Sequence, residues 1–175
     1  MINFNLKEAT EILERTPAVL ISLLSGLSDK WIYNNEGGES WTPYDIVGHL
    51  IHGEKKDWIQ RTNIILEHGE DKPFEPFDRF AQFKDSEGKT LNDLLEEFEK
   101  LRKVNIDVLN NLNLEKKDLN KKGIHPEFGN VTLKQLLSTW IVHDLSHIRQ
   151  IARVMAKQYK NEIGPWEKYL RVTNE

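Results

Sequence analysis

The chain has 175 residues, of which 38% are hydrophobic and 30% charged, and its formal net charge is −4. This length and balance predict one globular domain over residues 1–175 and argue against disorder and against a nucleic-acid partner. The sequence has no cysteine, which excludes disulfides, thiolate metal sites and cysteine nucleophiles, so a bound metal would need His, Asp or Glu ligands.

The N-terminal residues 1–8 lack the basic start and apolar core of a signal peptide, and no apolar run is long enough to cross a bilayer. We therefore expect a cytoplasmic protein with no membrane partner.

The first predicted helix covers roughly residues 6 to 26, with apolar residues spaced by three and four positions. Pro17 lies inside this pattern and is predicted to kink or restart the helix.

The second predicted helix begins sharply and runs from Pro43 to about His68. Thr42 is a suitable N-cap, Pro43 suits the first helical position, and Asp45 places an acid in the first turn. A long connection follows at about residues 69–89. Its four phenylalanines are expected to pack on the bundle, and its length suits a crossover to a parallel helix.

The third predicted helix starts at Thr90 and continues to about Leu112, with the cleanest apolar stripe in the chain. It is interpreted as core without a chemical role. The fourth begins with the capping box Thr132-Leu133-Lys134-Gln135 and extends to about Tyr159. Beyond it, an aromatic tail is expected to dock on the bundle through Trp166, Tyr169 and Leu170. No strand is predicted, so the fold class is an all-α four-helix bundle.

On a helical wheel, His143, Asp144 and His147 fall on the apolar face of the fourth helix. Because His143 and His147 are four residues apart, both imidazoles can reach one ion. The alternative is a pair of core histidines bonded to backbone carbonyls or to Asp144. His49 borders the apolar face of the second helix and could supply a third imidazole from a facing helix.

The other histidines are weaker candidates. His52 lies further toward the solvent side of its helix, while His68 and His125 are interpreted as surface residues. Gly53, one turn from His49, either leaves room for a ligand or makes a helix-packing contact. Four aromatic residues could line a pocket mouth or belong to the core: Trp41, Trp58, Phe74 and Phe77.

Several segments together resemble the DinB-like (DinB/YfiT) superfamily of metalloenzymes. They are Trp41-Thr42-Pro43 leading to Gly48-His49-Leu50, the run from Trp140 to Ile151, and the segment from His125 to Leu133. The resemblance covers nearly the whole chain. It implies an up-down-down-up bundle with a long crossover loop between helices 2 and 3. It also implies one divalent ion (Zn, Ni, Fe or Mn) held by His49, His143 and His147.

Three functions follow as hypotheses from an open three-histidine site and from this resemblance. The first is an enzyme that activates a low-molecular-weight thiol for S-transfer to a small-molecule electrophile. The second is a metal-dependent hydrolase in which a metal-bound water attacks. The third is a non-catalytic metal-binding or stress-response protein, which a fourth protein ligand and the lack of a pocket would favour.

Two carboxylates are candidate catalytic residues. Glu54 is either a proton acceptor near the metal or part of an ion pair, and Asp144 is either a hydrogen-bond partner of a ligating histidine or part of a salt bridge. Gln150 could orient a ligand or a helix. A homodimer is also expected, because bundle faces often pair with two-fold symmetry.

Overall fold

The computed structural model describes residues 3–174, so residues 1, 2 and 175 of the predicted domain lie outside it. The described chain is mostly helical and contains one small two-stranded sheet. The elements in chain order are α1 (Leu6–Leu24), α2 (Asp29–Ile32), α3 (Pro43–Lys56), α4 (Trp58–Glu67), α5 (Ala81–Asp85), α6 (Leu91–Asn111), β1 (Lys122–His125), β2 (Gly129–Thr132) and α7 (Leu133–Lys157).

The first two predicted helices form, with two differences. Helix α1 runs through Pro17 without restarting. The predicted single helix from Pro43 to about His68 is wrong, because the chain breaks at Asp57, whose φ of −116° and ψ of −80° are not helical. The predicted start is confirmed, since the side chains and backbone of Thr42 and Asp45 complete a capping box behind Pro43.

The connection from α4 to α6 is not a plain loop, because it contains the short helix α5. Its four phenylalanines behave differently from one another. Phe74 is buried and Phe77 half-buried, whereas Phe80 and Phe83 are exposed. Phe83 nevertheless meets the ring of Trp41 edge-on, with centroids 6.4 Å apart, and Phe80 stacks on Phe83. The prediction that all four pack on the bundle is therefore wrong for Phe80.

Helices α6 and α7 form close to their predicted bounds, and each starts with a complete capping box, at Thr90 and Thr132. Two clusters of buried apolar side chains fill the space between the long helices. One joins α1, α3, α6 and α7, and the other joins α1, α4, α6 and α7. The observed fold is thus a helical bundle, while the up-down-down-up order of its helices stays a prediction.

A β-hairpin precedes α7, so the expectation that the chain has no strand is wrong. Strands β1 and β2 pair antiparallel, with Lys122 opposite Thr132 and His125 opposite Gly129. Gly129, the first residue of β2 after the three-residue turn 126–128, has a φ of +68°, a left-handed conformation that glycine adopts without steric cost. The hairpin packs against α4 through β1.

The C-terminal segment forms short 3₁₀ turns from Gly164 to Thr173. Its predicted docking through aromatic side chains is wrong, because Trp166 is 67% exposed and Tyr169 is 72% exposed. Leu170 is also exposed, and the buried residue of the segment is Thr173. None of the described helices is both long and apolar enough to span a membrane.

Candidate metal centre

Three imidazoles converge between α3 and α7. The Nε2 atom of His143 lies 3.1 Å from Nε2 of His49 and 3.2 Å from Nε2 of His147. One nitrogen from each ring lies within 4.8 Å of the others, in a group able to hold a metal ion. His49 comes from the buried side of α3, and the other two, one helical turn apart, come from α7.

The spacing of these nitrogens fits one shared cation. Two nitrogens about 2.05 Å from one ion at a tetrahedral angle would lie roughly 3.3 Å apart, close to both short distances. Without a cation, the arrangement leaves polar atoms without partners. An imidazole nitrogen carries either one proton or one lone pair, so Nε2 of His143 cannot bond well to both neighbours. The Nδ1 atoms of His49 and His143 lie on the far side of each ring and are buried without a hydrogen-bond partner among the described residues, with or without a cation at Nε2.

Burial keeps the three rings neutral. It lowers the pKa of His49 from 6.5 to about 3 and that of His143 to about 2, with smaller contributions from the neighbouring histidines. Burial also lowers the pKa of His147, although a hydrogen bond to Gln150 opposes the shift. Neutral imidazoles have the lone pairs that a metal ligand needs.

Gln150 orients one of the rings. Its Oε1 atom lies 2.8 Å from Nδ1 of His147. Because a carboxamide oxygen can only accept, Nδ1 of His147 donates, which leaves Nε2 with the lone pair that faces the other two histidines. This contact agrees with the sequence-based suggestion that Gln150 orients a ligand.

Aromatic side chains surround the imidazoles. The ring centroid of Trp41 lies 4.8 Å from that of His49, and the edge of Phe77 meets the same imidazole at 5.7 Å. The indole of Trp58 lies 5.1 Å from the ring of His143. A Cβ atom on Gly53 would lie 3.2 Å from Nε1 of Trp58, so this glycine makes a packing contact with that indole.

A cavity of about 670 Å³ opens beside the three histidines. It extends from α3 and α7 to the turn of the β-hairpin. Its wall includes Trp41, Trp58, Phe74 and Phe77, in agreement with the pocket alternative, while Trp58 and Phe74 also belong to the buried core. Its polar lining includes Asp57, Arg61, Arg79, His125, Glu127, Gln135 and Thr139. The space is large enough for a small-molecule substrate next to the imidazoles.

Asp57 is a cavity residue that the sequence analysis missed. Burial raises its pKa from 3.8 to about 6, while the positive charge of Arg61 opposes the shift. Oδ1 of Asp57 lies 2.9 Å from Nε of Arg61, but the two atoms are not aligned for a hydrogen bond. A carboxyl group with such a pKa can both accept and release a proton near neutral pH.

The remaining histidines are placed differently from their predictions, except for His68, which is exposed. His52 is buried rather than turned to solvent, and its Nδ1 lies 3.3 Å from Oδ2 of Asp85 on α5. His125 is half-buried in the cavity wall and stacks on Phe128. None of these three belongs to the converging group.

Glu54 and Asp144 both bind the guanidinium of Arg102. Nη2 of Arg102 lies 2.7 Å from Oε1 of Glu54, and Nη1 lies 2.6 Å from Oδ2 of Asp144. Asn105 and Trp140 donate further hydrogen bonds to Glu54, at 2.9 Å and 3.0 Å. Both carboxylates therefore form an ion pair with Arg102, which was one of the two alternatives left open for each of them. Their catalytic roles stay predictions.

The interpretation of the third helix as core is confirmed, because α6 contributes to both apolar clusters. The sequence analysis missed that the same helix also buries two polar residues, Arg102 and Asn105. Burial alone would lower the pKa of Arg102, but the carboxylates of Glu54 and Asp144 raise it, so the guanidinium stays charged. A sequence signal was available. Phe98, Arg102, Asn105 and Leu109 follow the spacing of four, three and four that marks one helix face.

Comparisons with known proteins agree with this architecture. A family model described as the DinB superfamily matches residues 12–151. Among solved structures, the chain is similar to YfiT from Bacillus subtilis, described as a probable metal-dependent hydrolase with an unusual four-helix bundle topology. The match has a TM-score of 0.73 at 20% identity and covers 90% of this chain and 87% of that one. No curated protein matches the chain.

Proposed function

The chain belongs to the DinB superfamily, and from this membership we propose that it is a metal-dependent enzyme in which His49, His143 and His147 hold one divalent ion. The observation that carries the proposal is the convergence of three neutral imidazole nitrogens beside a cavity. No fourth His, Asp or Glu joins this group among residues 3–174. Three protein ligands beside a cavity are typical of a catalytic rather than a structural site.

The donor set limits the choice of ion. Imidazole suits Zn, Ni and Fe, Mn is the harder alternative, and cellular availability decides among them. When bound, such an ion would polarise and acidify a coordinated thiol or water molecule. The protein residues would supply the cavity walls and the ring orientation from Gln150.

We propose a low-molecular-weight thiol as the nucleophile and a small electrophile as its partner. A thiol is acidic enough to lose its proton on coordination without a strong base at the site. This matters because Glu54, the predicted proton acceptor, is surrounded by Arg102, Asn105 and Trp140. In the transfer, a carbon–sulfur bond forms, the bond to the leaving group breaks, the leaving group takes its electron pair, and the thiol proton passes to solvent.

Hydrolysis is the second candidate, and Asp57 is the observation that favours it. Water is a much weaker acid than a thiol and benefits from a general base. With a pKa of about 6, Asp57 is mostly ionised at neutral pH and lines the same cavity as the imidazoles. The description of YfiT as a probable metal-dependent hydrolase is consistent with this alternative.

The first experiment is elemental analysis of untagged protein purified without chelator. We expect about one equivalent of metal in the wild type and none in His143→Ala/His147→Ala. His68→Ala, at the exposed end of α4, is the matched control and should keep its metal. A wild type that contains no metal and takes up no Zn, Ni, Fe or Mn would overturn the proposed function.

The second experiment separates the two nucleophiles. The metal-loaded wild type is incubated with an activated ester and with an alkyl halide, each with and without added thiol. Turnover that requires the thiol and persists in Asp57→Asn supports S-transfer. Turnover that is independent of thiol and is lost in Asp57→Asn supports hydrolysis instead.

A further inference from the structure

Among residues 3–174, the most deeply buried charges form one cluster around Arg102. Arg102 is 1% exposed, Glu54 4% and Asp144 0%. The guanidinium makes two contacts with Asp144, at 2.6 Å and 3.0 Å, and two with Oε1 of Glu54, at 2.7 Å and 3.1 Å. It therefore bridges the carboxylate of α3 and the carboxylate of α7 with the fixed geometry of a planar fork.

The cluster joins all the long helices of the bundle. Nη1 of Arg102 on α6 also donates to the carbonyl oxygen of Leu13 on α1, at 2.7 Å. Asn105 donates to both the side chain and the backbone carbonyl of Glu54. Trp140 on α7 donates to Glu54 on α3 at 3.0 Å. Each polar contact thus ties one helix to another at a defined position.

The cluster adjoins the histidine site through the same two helices. Glu54 follows His49 by five residues on α3, and Asp144 directly follows His143 on α7. Packing adds a second connection, because Trp140 stacks on Trp58 at 5.7 Å and Trp58 meets the ring of His143 at 5.1 Å. Arg102 therefore links α3 to α7 close to the point where the imidazoles of the two helices meet.

Stability alone is a weak reason for such a cluster. Moving charges out of water costs free energy, and replacing a buried ion cluster with neutral or apolar residues is often neutral or stabilising. A cluster that bridges two helices carrying metal ligands can instead hold the two helices in one position relative to each other. We propose that Arg102, Glu54 and Asp144 are positioning residues that hold α3 and α7 so that His49 can share one cation with His143 and His147.

The inference rests on the proposed metal site, and its test measures metal affinity rather than activity. The main variant is Arg102→Met/Glu54→Gln/Asp144→Asn, which removes all three charges and leaves no carboxylate unpaired. We expect a cooperatively folded protein whose Kd for Zn²⁺ is at least about tenfold weaker, the usual effect of losing groups that orient metal ligands. The visible absorption bands of bound Co²⁺ should also change in position and intensity.

Two further variants keep the test decisive. Arg102→Lys keeps the charge but loses the planar fork, so it should fold and bind Zn²⁺ with intermediate affinity. Leu109→Ala is the matched control, because it weakens the apolar packing of the same helix two turns from Arg102 and leaves every charge and hydrogen-bonding group of the cluster in place. It should lower the melting temperature and leave the Kd and the Co²⁺ spectrum unchanged.

The outcomes distinguish this inference from the proposed function. If the wild type binds no metal, both are overturned. If the wild type binds Zn²⁺ and the triple variant and Arg102→Lys bind it equally well, only the positioning role is overturned. The same holds if Leu109→Ala weakens Zn²⁺ binding as much as the cluster variants do at a matched loss of melting temperature. If the triple variant does not fold, Arg102→Lys and Leu109→Ala decide between these results.

Discussion

The buried imidazoles predict how the stability of the metal-free protein depends on pH. Burial lowers the pKa of His49 from 6.5 to about 3 and that of His143 to about 2 in the folded state. Below pH 6.5 the unfolded chain therefore binds more protons than the folded one, and stability falls as the pH falls. Between about pH 7.5 and pH 5, each such histidine costs ~2 kcal/mol of unfolding free energy.

The loss is large compared with the whole stability of a domain. Two histidines together would remove ~4 kcal/mol, against a total of about 5–15 kcal/mol for an ordinary domain. The pKa values of Glu54 and Asp57 are raised by burial. These two groups therefore increase the free energy of unfolding as the pH falls, opposite to the histidines. They are present in the wild type and in the histidine variants, so their contribution cancels when the two are compared.

The assay is urea unfolding across this pH range in the presence of a chelator. His49→Gln and His143→Gln should each flatten the pH dependence by ~2 kcal/mol, because one titrating group is removed. His68→Gln, at an exposed position, is the control and should follow the wild type. If all four proteins show parallel pH dependence, the buried-imidazole argument is refuted.

Three smaller predictions concern single positions. Gly123→Ala would place a Cβ 2.8 Å from Cγ1 of Ile65 and 3.0 Å from the ring of Phe74. We therefore expect the free energy of unfolding to fall by ~1–3 kcal/mol, measured by thermal unfolding. An unchanged melting temperature would contradict this packing. Thr132→Ala removes the capping box of α7 and should cost about 1 kcal/mol in urea unfolding; Thr132→Ser should restore it. Arg79→Gln removes a cation from the cavity wall and should raise KM for an anionic thiol by about fivefold, with no change for a neutral thiol.

The long helices could be predicted because their signals are local. Capping boxes at Thr90 and Thr132 and apolar residues spaced by three and four depend only on neighbours along the chain. The two histidines of α7 could be paired for the same reason, since four residues make one helical turn. His49 was harder to place, because its distance from α7 depends on how two helices pack.

Other features had weak local signals. Strands β1 and β2 have four residues each, too few for a clear alternation, and the hairpin is held by tertiary contacts such as the 2.9 Å bond from Phe74 N–H to the carbonyl of Ile124. The break at Asp57 has neither proline nor glycine to announce it. Asp57 owes its raised pKa to burial, which the sequence around it does not specify.

By itself, the sequence determined the helical class of the protein, the starts of its long helices and the imidazole pair one turn apart on α7. Each of these follows from contacts within a few residues of chain. Only the tertiary structure decided how close the predicted third ligand, His49, comes to that pair, that Asp57 lines the cavity, and that Arg102 binds Glu54 and Asp144. These features depend on side chains that are 42 to 94 positions apart and meet only when the helices pack.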